Sequence, residues 1–229
     1  MLNEQTIATL NSLKLFGMVR GFEERLNSPR RAELSHAEFV GLLVQDEKTY
    51  RDNQRLKRLL RNARLRQPAA LEDIDYRHPC GLSKSVILEL GSTQWLTAHR
   101  NVLITGPTGI GKSYLACALG NYAAQADYSV LYLRAPRLFE SLQQARGDGS
   151  HLKTLAGLAK VQLLIINDFL LTPPADREHR DRLEIVEDPI SQAPPLLPAS
   201  APSGTGTPIS VTLPWPTPYA TGYCTTPTR

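Results

Sequence analysis

The sequence is poor in several things, and each shortage excludes something. Its 229 residues include only 3 cysteines, Cys80, Cys117 and Cys224. They lie far apart, show no C-x-x-C spacing and leave one without a mate. This argues against a disulfide framework or a zinc site and for a reducing compartment. No apolar run approaches the roughly 20 residues that span a bilayer. Met1-Leu2-Asn3-Glu4-Gln5 lacks the basic and apolar regions of a secretory leader. The expected location is the cytoplasm, with no membrane partner. His78 and His99 are isolated in the sequence, fit no metal-binding spacing and read as structural. Charge is missing from the last stretch, where Arg229 is the only ionised side chain after Asp188.

What is present begins with a phosphate loop. Asn101-Val102-Leu103-Ile104-Thr105 is apolar and β-branched and reads as a buried strand. Gly106-Pro107-Thr108-Gly109-Ile110-Gly111-Lys112-Ser113 then fits G-x-x-x-x-G-K-[ST], and the Ala- and Leu-rich run from Tyr114 to Ala124 reads as a helix. Glycines let the backbone aim several N–H groups into one concavity, and the helix N-terminus adds its dipole. Lys112 can reach the β- and γ-phosphates of a nucleotide, and the Ser113 hydroxyl can ligate Mg²⁺. Strand, loop, Lys-Ser and helix together make the signal specific.

Residues 1–67 read as helical. Leu10, Leu13, Phe16, Gly17 and Val19 form an apolar stripe, broken at Asn27-Ser28-Pro29. Ser35-His36-Ala37-Glu38 is a capping box. The helix it opens turns basic at Arg51, Arg55, Arg58, Arg61, Arg64 and Arg66, with Leu56, Leu59, Leu60 and Leu65 opposite. A solvated face and a surface that tracks nucleic-acid phosphates are both compatible with this pattern. Arginine favours the second, because its fork pairs with phosphate oxygens.

Residues 68–100 read as a linker with lead-in helices, and residues 101–188 as the nucleotide domain. Tyr128–Leu133 and Val161–Phe169 are strand-like, separated by helices. That alternation predicts an α/β fold, a P-loop NTPase with a parallel sheet flanked by helices and preceded by a small all-helical domain. Asn167-Asp168 ends the second of these strands, where such enzymes carry a carboxylate for metal and water. Lys112 and Asp168 are therefore the candidate catalytic residues, and Ser113, Asn167 and Asp168 the candidate Mg²⁺ ligands. Asn167 brings an oxygen but no charge. Residues 189–229 are punctuated by Pro194, Pro195, Pro198, Pro202, Pro208, Pro214, Pro216, Pro218 and Pro227, and are expected to be disordered, without helices or interior strands.

Several blocks together resemble one family. They are Met1–Thr6, Leu13–Met18, Leu65–Tyr76, Asn101–Ala116, Tyr132–Arg134 and Pro136–Phe139. The chain up to about Asp188 is similar to the IstB-like ATP-binding proteins of bacterial insertion sequences, whose ATPase domain resembles the helicase loader DnaC and belongs to the AAA+ class. The resemblance implies an ATP-dependent helper of a transposase that forms homo-oligomers on double-stranded DNA, with DNA contacts from the helical domain. It puts Asn167 where the family has a metal-ordering Asp, and Asp168 on the second acid. It also implies, further on, a strand ending in a polar sensor and helices bearing an arginine for a neighbour's ATP. Neither is legible after Asp188, where the abrupt change of composition suggests a shifted reading frame. A catalytically impaired remnant of such a helper is the alternative reading. A helicase loader is weaker, because the N-terminal blocks match the insertion-sequence branch.

Overall fold

The computed structural model describes residues 2–27, 34–75, 83–168, 195–200 and 210–212. His78, Cys80 and Cys224 lie outside them. The chain divides into two compact units, Met1–Arg58 and Leu59–Arg229.

The first unit contains α1 (Leu2–Ser12), α2 (Phe16–Leu26) and most of α3 (His36–Ala63). The expected single stripe through Leu13 is broken. Lys14 takes a left-handed φ of 59°, and Leu15 and Lys14 donate their N–H groups back to Leu10 and Asn11. That pattern closes α1 with a Schellman turn, and Leu13 is left exposed. The capping box forms as read: Glu38 accepts from the Ser35 N–H at 2.9 Å, and Ser35 Oγ accepts from the Glu38 N–H at 3.3 Å.

α2 lies against α3 because Gly17 carries no side chain. A Cβ there would stand 2.6 Å from the Asp46 carbonyl oxygen and from Glu47 Cα, which are backbone atoms that cannot step aside. The close approach lets the buried Glu47 carboxylate accept from the Gly17 N–H at 2.7 Å and the Met18 N–H at 3.2 Å. Leu15 offers no side-chain cap, so a carboxylate from another helix satisfies the orphan donors of α2. Arg51 pairs with the same carboxylate at 2.6 Å. Phe16 on Tyr50, Phe22 on Phe39 and the Arg25–Asp46 ion pair complete the seam.

α3 ends at Ala63 rather than near Gln67, and Arg64 at φ 51° turns the chain away. In the second unit follow α4 (Lys84–Gly91), α5 (Gln94–Thr97), β1 (Val102–Gly106), α6 (Lys112–Gln125), β2 (Val130–Arg134), α7 (Ala135–Gly147), α8 (His151–Ala159), β3 (Leu163–Asn167), β4 (Pro195–Ser200) and β5 (Ser210–Thr212). The sheet order is β2-β3-β4-β1-β5, with β1 to β4 parallel and β5 antiparallel to β1. α6 is buried nearly all round, through Leu115–Gly120, Ala123 and Ala124, small residues that permit close packing. Leu138, Phe139 and Leu142 of α7 pack with Leu164 and Ile166 of β3, together with the half-buried Leu155 and Leu158 of α8.

The expectation for the proline-rich segment is corrected here. Pro195–Ser200 is not excluded from the sheet but lies at its centre, between β1 and β3. Two features reconcile it with its prolines. Pro195 is the first residue of the strand, a position where a missing N–H is tolerated. The ladder to β3 stops at Leu196, short of Pro198, while the ladder to β1 continues to Ser200 opposite Gly106. A strand ending at Ser200 therefore does follow Asp188. The remainder of 189–229, apart from β5, lies outside the described residues.

Burial pushes the Glu47 carboxyl up, but the bonds from Arg51, Met18 and Gly17 outweigh it and hold it below its ordinary value. Its stabilising contribution is therefore complete above the unfolded value of about 4.3 and is lost as pH falls through the lowered folded value. Glu47→Ala is expected to destabilise the helical unit by about 1–2 kcal/mol at neutral pH and to remove that acid-side loss. Melts followed by circular dichroism from neutral to acid pH would show it; parallel curves for the two proteins would contradict the assignment.

Candidate functional site

The parallel strands all end at one edge, as register requires: Arg134 pairs with Asn167, and Gly106 with Ser200. In sheets of this kind ligands bind outside the carboxyl ends of the strands. The loop from Gly106 to Ser113, the Asn167-Asp168 pair and Arg134 therefore share an edge although they are far apart in sequence.

In the loop, Gly109 and Gly111 have φ values of 87° and 100°. A Cβ at either would meet open space, so conformation rather than crowding demands glycine there. Gly111 is the N-cap of α6, and no side chain caps that helix, which leaves its first N–H groups for an anion. The buried Lys112 folds back, and its Nζ donates to the carbonyls of Gly106 at 2.8 Å and Pro107 at 2.6 Å. Burial pulls its pKa down, and the Asp168 charge partly restores it.

A chain of polar contacts crosses the edge from there. Ser113 Oγ donates to Asn167 Oδ1 at 3.1 Å. Asn167 Nδ2 donates to Asp168 Oδ1 at 3.1 Å. Arg134 Nε donates to Asp168 Oδ2 at 3.0 Å. Asn167 is only 2% exposed, so both ends of its amide must be satisfied inside the protein, and here they are. Asp168 sits at φ 63°, a left-handed conformation that costs about 1–2 kcal/mol and turns its carboxylate back toward β2.

The oxygens suit Mg²⁺. Adjacent ligands at about 2.0–2.1 Å in octahedral geometry stand about 2.9 Å from each other, close to the Ser113–Asn167 separation. Asp168 adds the one carboxylate, and all three donors are hard oxygens. The three proposed ligands are thus brought together, with both Asp168 oxygens already engaged. Arg134 was not assigned a role from sequence. A cation at the end of the strand beside Asn167-Asp168 was the available signal, but strand order has to be known to use it.

Arg51, Arg55, Arg58, Arg61, Arg64 and Arg66 are all exposed. Arg51 is tied to Glu47, and Arg64 and Arg66 follow the helix rather than lie on it. Within the second unit the segment after α3 lies along α6: Asn121 Nδ2 donates to the Ala69 carbonyl at 2.7 Å. Burial pushes the Tyr132 phenol up to about 12, with the field of Arg66 acting against it, so Arg66 lies within electrostatic reach of β2. Among the described residues no helix is long and apolar enough to cross a membrane.

Known proteins resemble this chain in sequence and in fold. The family model described as IstB-like ATP binding protein matches residues 8–202. A Pseudomonas fluorescens protein named for ATP binding and for insertion sequence IS1162 is 43% identical over 230 residues, covering 100% of both chains and so running through the proline-rich segment. A Sinorhizobium fredii protein named for ATP binding in an insertion sequence is 45% identical over 188 residues, 82% of this chain and 77% of that one. Among solved structures, the replication initiator DnaA bound to AMPPCP and single-stranded DNA superposes with a TM-score of 0.50 at 20% identity, over 60% of this chain and 43% of that one. AMPPCP-bound DnaA from Aquifex aeolicus gives 0.50 at 19%, over 59% and 43%. At that identity the likeness shows the fold alone, a P-loop NTPase sheet flanked by helices.

Asn167→Ala removes two bonds from a buried position and is expected to destabilise the second unit by about 1–3 kcal/mol. Arg134→Ala breaks a solvent-screened pair and is expected to cost less than about 1 kcal/mol. Denaturant titration of the two variants checks the ranking, and equal losses would mean that Asn167 does not hold the chain of contacts together.

Proposed function

The chain belongs to the IstB-like ATP-binding protein family, and from that premise we propose that it binds ATP with Mg²⁺ and serves DNA transposition as an accessory to a transposase. The observation that carries the reading is Lys112, buried and held on its own loop carbonyls at the edge where Ser113, Asn167 and Asp168 meet. A nucleotide's phosphates attract that ammonium more strongly than two neutral carbonyls do. Lys112 then moves onto the β- and γ-phosphates, while the N–H groups of Gly109 to Ser113 and the α6 N-terminus hold the remaining oxygens. Ser113, Asn167 and Asp168 would hold Mg²⁺, which would neutralise part of the triphosphate's charge when bound. Asp168 orients the attacking water through a lone pair that its contacts with Asn167 and Arg134 leave open.

Slow turnover is the second reading. Among the described residues Asp168 is the one carboxylate at the site, it is paired with Arg134, and Asn167 brings no charge. In that case the protein acts mainly through nucleotide binding, as an impaired member of its family. The partners in either reading are double-stranded DNA, met by the arginines from Arg51 to Arg66, the transposase of the same element and further copies of the chain on DNA. The place of action is the cytoplasm.

Two measurements test this. Lys112→Ala is expected to abolish ATP binding in equilibrium titration, and unchanged affinity would remove the central assignment. Replacing Arg58, Arg61 and Arg64 by Ala is expected to lower the slope of log affinity for duplex DNA against log salt by about 0.9 for each phosphate no longer neutralised. A slope equal to the parent's would put the DNA surface elsewhere.

A further inference from the structure

Among the described residues, the charged side chains that meet at this edge sum to a net positive charge. Lys112 and Arg134 are cations, Asp168 is the one anion among the residues joined there, and Ser113 and Asn167 are neutral. Among the described residues no three His, Cys, Asp or Glu side chains come together. A divalent cation therefore finds little fixed charge of its own, since the Asp168 carboxylate is already neutralised by Arg134 at 3.0 Å.

Asn167 decides this balance. Its amide nitrogen is a donor that sits 3.1 Å from Asp168 Oδ1, and its oxygen faces Ser113 at the same distance. A carboxylate in its place would set a second negative charge against Asp168, in a position 2% exposed. Like charges so close and so buried repel strongly, and a bound cation relieves the repulsion. With asparagine there is no repulsion to relieve. The phosphates are drawn directly by Lys112, by the N–H groups of the loop and by the α6 N-terminus.

We propose that Asn167 makes nucleotide capture by this chain independent of a divalent cation, so that Mg²⁺ arrives only as the companion of the triphosphate. The proposal rests on the reading of Gly106 to Ser113 as a triphosphate site. The full chain and Asn167→Asp are titrated with fluorescently labelled ATP in millimolar Mg²⁺ and again in EDTA. The parent is expected to bind in EDTA within about threefold of its affinity in Mg²⁺. Asn167→Asp is expected to weaken by about tenfold or more in EDTA and to recover in Mg²⁺. A parent that loses tenfold on removal of Mg²⁺, or a variant no more dependent on it than the parent, overturns the proposal. If Asn167→Asp does not fold, as circular dichroism will show, the parent ratio alone decides. A parent that binds in neither condition overturns the phosphate-loop reading itself.

Discussion

The Lys112 ammonium on the carbonyls of Gly106 and Pro107 is the interaction on which the rest of the second unit depends. A buried cation needs oxygen partners. Here the nearest ones are the carbonyls of the loop that leads to it, so the lysine ties the loop back on itself. Gly109 and Gly111 make the bend possible through left-handed φ values. The buried strand β1 fixes where the loop starts, and the small-residue helix α6, packed into the sheet, fixes where it ends.

From this centre the polar contacts run in one direction, Ser113 to Asn167 to Asp168 to Arg134. Each contact leads to the next, and the Asp168 carboxylate is engaged on both oxygens, by Asn167 and by Arg134. All of these contacts are made between the protein's own side chains. Asparagine is well suited to this arrangement because an amide carries an acceptor at one end and a donor at the other. Two carboxylates could not make the same chain without a proton or a cation between them.

The helical unit solves a similar problem by different means. The N-terminus of α2 has no cap of its own, and Glu47 supplies one from α3. That contact exists only because Gly17 lets the two backbones approach. Nothing in the local sequence around Leu15 announces it, since the capping residue lies some thirty positions away. The arginines from Arg51 onward were legible as a basic run, but the end of α3 at Ala63 was not, because an arginine in a left-handed conformation gives no warning of the kind glycine gives.

By itself the sequence determined the phosphate loop, its strand and helix, the alternation of strands and helices, the capping box and the basic run. All of these are local: they follow from spacing, from periodicity and from residues with narrow backbone preferences. Only the tertiary structure decided the strand order, and with it the meeting of Ser113, Asn167, Asp168 and Arg134, the capping of α2 by Glu47 and the insertion of Pro195–Ser200 between β1 and β3. The last of these shows the reason most plainly. Proline's local preference argues against a central strand, but each backbone N–H in a sheet matters only where a neighbour needs it. Pro198 lies beyond the end of the ladder to β3 and opposite Ile104 in the ladder to β1, and where the segment sits is a property of the assembled sheet rather than of the segment.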